Sequence, residues 1–211
     1  MEIIEKELKY RFSSSDYLTL MNYFLSICVK SYVNEQVNYY IDTPDMDLIK
    51  YGISIRLRII DDISCEFTIK SNSVKQQNNV SIKKEFNADI DINNFTDIIA
   101  GASIKEFVIG NKEIYDYVIK LGIDDICLSK LNIIGQLKTI RNFYQVDGVR
   151  DPVNLDFSEY EGQQDYELEW ETEEIDNAKT VLTAIFNRLG IEPSTEIISK
   201  RARFTNALLK K

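Results

Sequence analysis

The sequence predicts an α+β fold: an eight-stranded antiparallel β-barrel with flanking helices. Two observations carry this. Like charges recur on alternate residues within apolar, strand-like sequence, at EKELK (Glu5 to Lys9), IRLRI (Ile55 to Ile59) and YELEWE (Tyr166 to Glu171). A strand sends alternate side chains to opposite faces, so Glu5, Glu7 and Lys9 share one face, as do Arg56 with Arg58, and Glu167 with Glu169 and Glu171. The second observation is order: acidic strands stand at both ends of the chain and basic strands between them. Eight or so such strands with their polar faces inward suggest closure, which leaves no exposed edge. An open sheet with its charged faces in water is the alternative.

The elements follow in order. Residues 3–11 read as a strand, with Ile4 and Leu8 on its apolar face. Ser13, Ser14 and Ser15 offer N-caps for a helix to about Lys30, whose stripe is Tyr17, Leu18, Met21, Phe24, Leu25 and Cys28. A strand at about 32–41 is broken by Thr43 and Pro44, and Gly52 ends a polar connector. Residues 53–60 and 64–71 form a hairpin around Asp61 and Asp62. SNSVKQQNN at 71–79 reads as a polar loop and 80–90 as a strand. The stretch from Asp91 to Gly122 changes period and reads as a helical insertion. Strands return at about 126–133, 136–147, 153–161 and 165–173, with DGVRDP and EGQQD as turns. A helix over 175–189 ends at Gly190, and SKRARFTNALLKK is helical in pattern. The chain reads as a single domain, residues 1–211.

Composition excludes several classes. A net charge of -9 argues against general nucleic-acid binding. There is no histidine, hence no His base, no catalytic triad and no ordinary zinc site. Any base must be Asp, Glu, Lys, Tyr or hydroxide. Cys28, Cys65 and Cys127 are odd in number, lack a CxxC spacing, and read as free thiols in a reducing compartment. The acidic start MEIIEKELKY is no signal peptide, and no apolar run approaches a membrane span. A cytoplasmic location is expected.

The charged faces have a chemical meaning. Carboxylates two apart on a strand lie about 7 Å apart and repel by about 2 kcal/mol at an effective dielectric near 20. Either water bathes them, or a cation and an anion fill the space between them, which describes a metal-dependent phosphate site.

Glu5, Glu7 and Lys9 match the ExExK signature that opens members of the CYTH superfamily, the triphosphate tunnel metalloenzymes. The later motifs follow in the family's order. YYIDTPDMDLIKYGISIRLR at 39–58 resembles its tyrosine and Asp-Thr segment with the paired-arginine strand. EFTIK at 66–70 resembles its lysine strand, and KTIR at 138–141 its single-arginine strand. NLDFSEY at 154–160 with YELEWE resembles its late acidic strands, and SKRAR at 199–203 its terminal basic motif. The likeness spans nearly the whole chain and is nearest to Gram-positive bacterial members.

The resemblance implies an eight-stranded tunnel that holds a triphosphate, and a divalent-metal-dependent triphosphatase using Mg2+ or Mn2+. It implies phosphate-facing roles for Lys9, Arg56, Arg58, Lys70, Arg141, Lys200 and Arg203. Glu5, Glu7, Asp156, Glu167 and Glu169 form the implied metal set. Tyr40 is implied to work with Lys70 in catalysis. SIKKEFNADI offers Lys84 and Glu85 without saying which faces the tunnel, and Arg201 competes with its neighbours in the terminal motif. Arginine forks and lysine charges suit phosphate oxygens, and carboxylates suit magnesium and manganese. Each residue also has a duller reading: Arg56 and Arg58 as a solvated strand face, Tyr40 as a wall aromatic, Asp156 as a turn-proximal acid. Glu171, Glu173 and Glu174 read as acids leading into the next helix. The expected partner is a small-molecule triphosphate: inorganic triphosphate, a nucleoside triphosphate or thiamine triphosphate. The alternatives are a class IV-like adenylate cyclase and a non-catalytic polyphosphate binder.

Overall fold

A computed structural model describes residues 2–77, 79–147, 149–194 and 198–210, with backbone alone for 72–77. Eight strands close into a barrel in the order β1-β5-β4-β3-β2-β6-β7-β8. They are β1 (Glu2–Arg11), β2 (Cys28–Asp42), β3 (Ser54–Ile60), β4 (Ser64–Gln77), β5 (Val80–Ile90), β6 (Asn132–Val146), β7 (Val153–Tyr160) and β8 (Gln163–Glu171). The pairs β1–β8, β2–β3, β3–β4, β6–β7 and β7–β8 are antiparallel. Two hairpins turn on paired positive-φ residues: Glu161–Gly162 form a two-residue turn whose backbone matches strand twist, and Asp61–Asp62 lead a three-residue loop between Ile60 and Ser64.

The chain divides into two compact units. The first holds residues 36–72 and 84–137 with the first residues of β1. Its core takes Ile41, Ile55, Leu57, Phe67 and Ile69 from the strands. Against them pack Phe95 and Ile98 of α3 (Ile92–Ile99), Val108 of α4 (Ile104–Gly110), and Ile114, Tyr117 and Val118 of α5 (Lys112–Lys120). The second holds residues 4–35, 73–83 and 138–211. Here Leu8, Tyr10, Leu155, Leu168 and Trp170 meet Tyr17, Leu20 and Phe24 of α1 (Ser14–Ile27) and Ala178, Leu182 and Phe186 of α7 (Ile175–Leu189). Gly190 closes α7 in the left-handed conformation at φ 66.

Four expectations change. The 71–79 loop is largely strand, because β4 continues to Gln77; Asn78 lies outside the described residues. The strand expected at 126–133 is instead the short helix α6 (Asp125–Ser129) before β6. Asp124 caps it by accepting from the Cys127 amide at 2.8 Å, and Leu128 is buried. The polar connector contains α2 (Asp47–Lys50), which buries Leu48. On α1 the buried stripe is Tyr17, Leu20 and Phe24, while Leu18 and Leu25 are exposed, as is Ile4 on β1. Among the described residues no helix is long and apolar enough to cross a membrane.

Asp42 shows why the Asp-Thr segment ends β2. Its fully buried carboxylate accepts from the amides of Thr43 at 2.8 Å, Leu48 at 2.9 Å and Ile49 at 3.3 Å. It folds the chain back at the strand end and satisfies the first amides of α2. Asp42→Ala is expected to lower unfolding free energy by about 3 kcal/mol, since it strands buried amides that a charged acceptor satisfied. Urea denaturation measures this, and a loss within about 0.5 kcal/mol would mean that those amides find other acceptors.

Candidate active site

In the first unit, the apolar face of each strand fixes the polar one. Ile55 and Leu57 lie in the core, so Arg56 and Arg58 stand on the opposite face of β3. The register sets Tyr40 opposite Arg56 and Asn38 opposite Arg58 on β2. On β4 it sets Thr68 opposite Arg56, Glu66 opposite Arg58, and Lys70 opposite Ser54. Asn38 Oδ1 accepts from Arg58 Nε at 2.8 Å, and an Arg58 terminal nitrogen lies 3.8 Å from Glu66. Phe86 belongs to the core, which sends Glu85 to the polar face and leaves Lys84 exposed. Glu85 pairs with Lys70 at 2.6 Å and stands 4.0 Å from Arg56. Tyr40 is buried on this face.

The second unit carries the acidic strands. Across them run the rungs Arg141–Asp156–Glu167–Arg11 and Asn154–Glu169–Lys9, with Glu7 opposite Glu171. Arg141 grips Asp156 with two nitrogens, at 2.7 and 2.6 Å, and also reaches Glu169. Lys9 lies 3.0 Å from both Glu7 and Glu169. Helix α8 (Lys200–Leu208) adds two more cations. Lys200 reaches Asp156 and lies 3.1 Å from Glu169 and 3.5 Å from Glu167. Arg203 takes Asp165 and Glu167, both at 2.7 Å. Lys200 and Arg203 of the terminal motif thus meet the strand acids, and Arg201 bonds to Thr205 within the helix.

The charges hold one another ionised. Burial opposes charge on Lys9, but Glu169, Glu7, Glu5 and Glu167 outweigh it and hold the ammonium well above its ordinary value. Burial also opposes charge on Asp156 and Glu169. Arg141 and Lys200 hold Asp156 below the ordinary carboxylate range, and Lys200, Lys9 and Arg141 hold Glu169 well below it. Burial and a hydrogen bond to Asp165 push the Tyr160 hydroxyl up to about 12.

The acids therefore fall into two groups. Asp156, Glu167 and Glu169 each meet cations from the strands or from α8, whereas Glu5, Glu7 and Glu171, of which Glu7 also pairs with Lys9, bring carboxylate oxygens within 4.8 Å of one another. That all-oxygen set fits magnesium or manganese. Glu171 reads from the sequence as a helix-leading acid, yet its parity with Glu167 and Glu169 sets it on this face. The sequence motifs also leave out Arg11, which extends the Glu5–Glu7–Lys9 face and lies 2.8 Å from Asp165, and the half-buried Lys83.

A closed antiparallel barrel whose strands carry ordered basic and acidic faces, with an acid-rich opening motif, defines the class, and the chain belongs to the CYTH domain family, whose model matches residues 4–199. HpAC1 of Hippeastrum, described as a candidate adenylyl cyclase with a dominant triphosphatase activity, is 27% identical and superposes with a TM-score of 0.83 over 96% of this chain and 95% of its own. A candidate adenylate cyclase from Bacillus halodurans is 24% identical, with a TM-score of 0.69 over 96% and 98%. PH1819 of Pyrococcus horikoshii shares the fold at 16% identity, with a TM-score of 0.61 over 96% and 98%. No curated protein matches the chain.

The depressed carboxyls give a pH prediction. Asp156, Glu169 and Asp165 titrate lower folded than unfolded, so their stabilisation is present above an unfolded value of about 4 and is lost as pH falls through the folded values. Lys9 and Lys200 titrate higher folded, so their share is present below about pH 10 and is lost only above it. The urea midpoint should stay level from about pH 6 to 9 and drop below about pH 4. Asp165→Asn should flatten the acid limb; an acid limb as steep as that of the parent protein would assign the acid sensitivity elsewhere.

Proposed function

We propose that the chain is a divalent-metal-dependent phosphoric anhydride hydrolase that removes the terminal phosphate of inorganic triphosphate, a nucleoside triphosphate or thiamine triphosphate. The observation that carries this reading is the division of charge. On the first unit's polar face the cations Arg56, Arg58 and Lys70 outnumber the acids Glu66 and Glu85. On the second, acids outnumber cations, and Glu5, Glu7 and Glu171 converge. A surplus of cations suits phosphate oxygens; a surplus of carboxylates suits a divalent ion. The dominant triphosphatase activity described for HpAC1 supports the same reaction.

In this reading Arg56, Arg58, Lys70, Lys9, Arg141, Lys200 and Arg203 bind phosphate oxygens. In the second unit, the last four trade carboxylate partners for phosphate, which frees Asp156, Glu167 and Glu169 to join Glu5, Glu7 and Glu171 as oxygen donors. When bound, magnesium or manganese would neutralise phosphate charge and make water more acidic. Water forms a bond to the terminal phosphorus as the bridging phosphorus–oxygen bond breaks; that phosphorus becomes inorganic phosphate, the diphosphate end departs with the bridging oxygen, and the proton lost by water passes to Tyr40, Lys70 or solvent. The arginines and lysines hold the chain in line and stabilise charge in the transition state. The free thiols of Cys28, Cys65 and Cys127 support a reducing cytoplasm as the setting. A second reading, cyclisation of ATP at the α-phosphorus, is favoured by the cyclase name of HpAC1.

Products decide between them. A panel of triphosphates with magnesium or manganese should yield inorganic phosphate from the preferred substrate, whereas cyclic AMP with pyrophosphate would establish the cyclase. Glu7→Gln is expected to cut metal-dependent turnover about hundredfold or more while keeping the fold, because it removes a donor from the carboxylate cluster. Near-parental activity at modest metal concentration would remove Glu7 from the metal set. Activity should also rise from neutral to alkaline pH, since water must lose a proton and the chain has no histidine to take it. If Tyr40→Phe alone removes that limb, Tyr40 carries the proton; if the limb survives both Tyr40→Phe and Lys70→Ala, neither does.

A further inference from the structure

The polar face of the first unit contains two buried donors without hydrogen-bond partners among the described residues: Thr68 Oγ1 and Arg56 Nε. They belong to directly opposed residues, Arg56 on β3 and Thr68 on β4. Thr68 is 0% exposed, and its neighbours Phe67 and Ile69 turn into the core, so strand alternation turns the hydroxyl onto the charged face. Leaving a buried hydroxyl unmatched is costly, and a strand of β-branched residues would accept valine at this position without it. The other groups nearby on this face are cationic or already engaged. Lys70 and Arg56 face Glu85, and Arg58 faces Asn38 and Glu66. What the hydroxyl and the guanidinium Nε share is an unused N–H or O–H bond on directly opposed residues, and the group that satisfies two neighbouring donors beside cations is an anionic oxygen.

We propose that Thr68 is a substrate-binding residue whose hydroxyl donates, together with Arg56 Nε, to a phosphate oxygen of the triphosphate. The inference rests on the triphosphate reading given above and extends it to a neutral residue that no charge pattern marks. A neutral donor adds recognition without adding attraction for every anion. It rewards an oxygen held at the right place and angle, whereas the lysine and arginine charges act on any anion within range. Thr68 therefore contributes to the choice of a phosphoryl group over a simple halide at the same face.

Thr68→Val and Thr68→Ser test this through binding alone. Calorimetric titration with inorganic triphosphate, in EDTA and again with calcium, measures affinity without turnover. Urea denaturation of the ligand-free proteins runs beside it. Thr68→Val should bind triphosphate roughly ten- to hundredfold more weakly, the value of one hydrogen bond to a charged group, with ligand-free stability equal to or above the parent. Thr68→Ser, which keeps the hydroxyl, should recover most of the affinity. If the parent protein binds triphosphate and Thr68→Val binds it equally well, the hydroxyl does not touch substrate and the inference fails alone. A loss of affinity in Thr68→Val that Thr68→Ser shares equally would also overturn it, since packing of the threonine methyl would then be the cause. If the parent protein binds no triphosphate under either condition, the triphosphate reading itself fails.

Discussion

Burying charge on a β-sheet is possible only when neighbouring strands supply the opposite sign at matching height, and that requirement organises this protein. A carboxylate withdrawn from water without a partner costs several kcal/mol. Here Arg141 stands opposite Asp156, Lys9 opposite Glu169 and Arg11 opposite Glu167. Slipping one strand by a single residue would turn Leu8, Leu168 or Trp170 onto the charged face and the acids into the apolar core, so the ionic rungs and the core enforce the same register. Helix α8 is held by this logic too. Lys200 and Arg203 answer carboxylates of the acidic strands, and Phe204, one helical turn after Lys200 and next to Arg203, is fully buried. The terminal helix is thus fixed by charge as much as by its apolar side.

Much of this was legible because the signal is a parity signal. Arg56 with Arg58, and Glu167 with Glu169, declare their face in the letters alone, and the ordered motifs from Glu5 to Arg203 gave the family before any coordinate did. Parity also explains the misses. In SIKKEF two lysines precede one glutamate, and only the burial of Phe86 shows that Glu85 and Lys83 share the polar face while Lys84 does not. Glu171 had the right parity but sat beside acids that suit a helix start, and local helix logic hid it. The segment after Lys70 is polar on both faces, which removes the alternation that marks a strand, so hydrogen bonding along β4 had to reveal it. Residues 126–131 show the reverse. Ile126 and Leu128 alternate as a strand would, and the Asp124 cap decides for a helix.

Thr68 lies beyond parity altogether. Nothing in EFTIK separates a threonine chosen for its strand-filling shape from one chosen for its hydroxyl. The distinction appears only when partners are counted around a buried atom, because a packing residue has no reason to keep an unmet donor. Charged residues reveal a site through the sequence because their burial is improbable in itself; neutral donors reveal it through what they lack.

The pairing that stabilises the empty protein also shapes what it can bind. On the proposed reading, Arg141 is matched to Asp156 and Lys200 to Glu169 in geometries that a ligand would have to displace. A small monovalent anion offers one charge for that displacement and satisfies few of the donors. A triphosphate offers several oxygens and several charges on one connected body, so losses at individual pairs are offset at many positions at once, and the entropy of association is lost only once. On the proposed reading the freed carboxylates would need a cation, and a divalent ion would supply it with the oxygen ligands they prefer. Phosphate and metal binding would then be two halves of one charge exchange, each making room for the other.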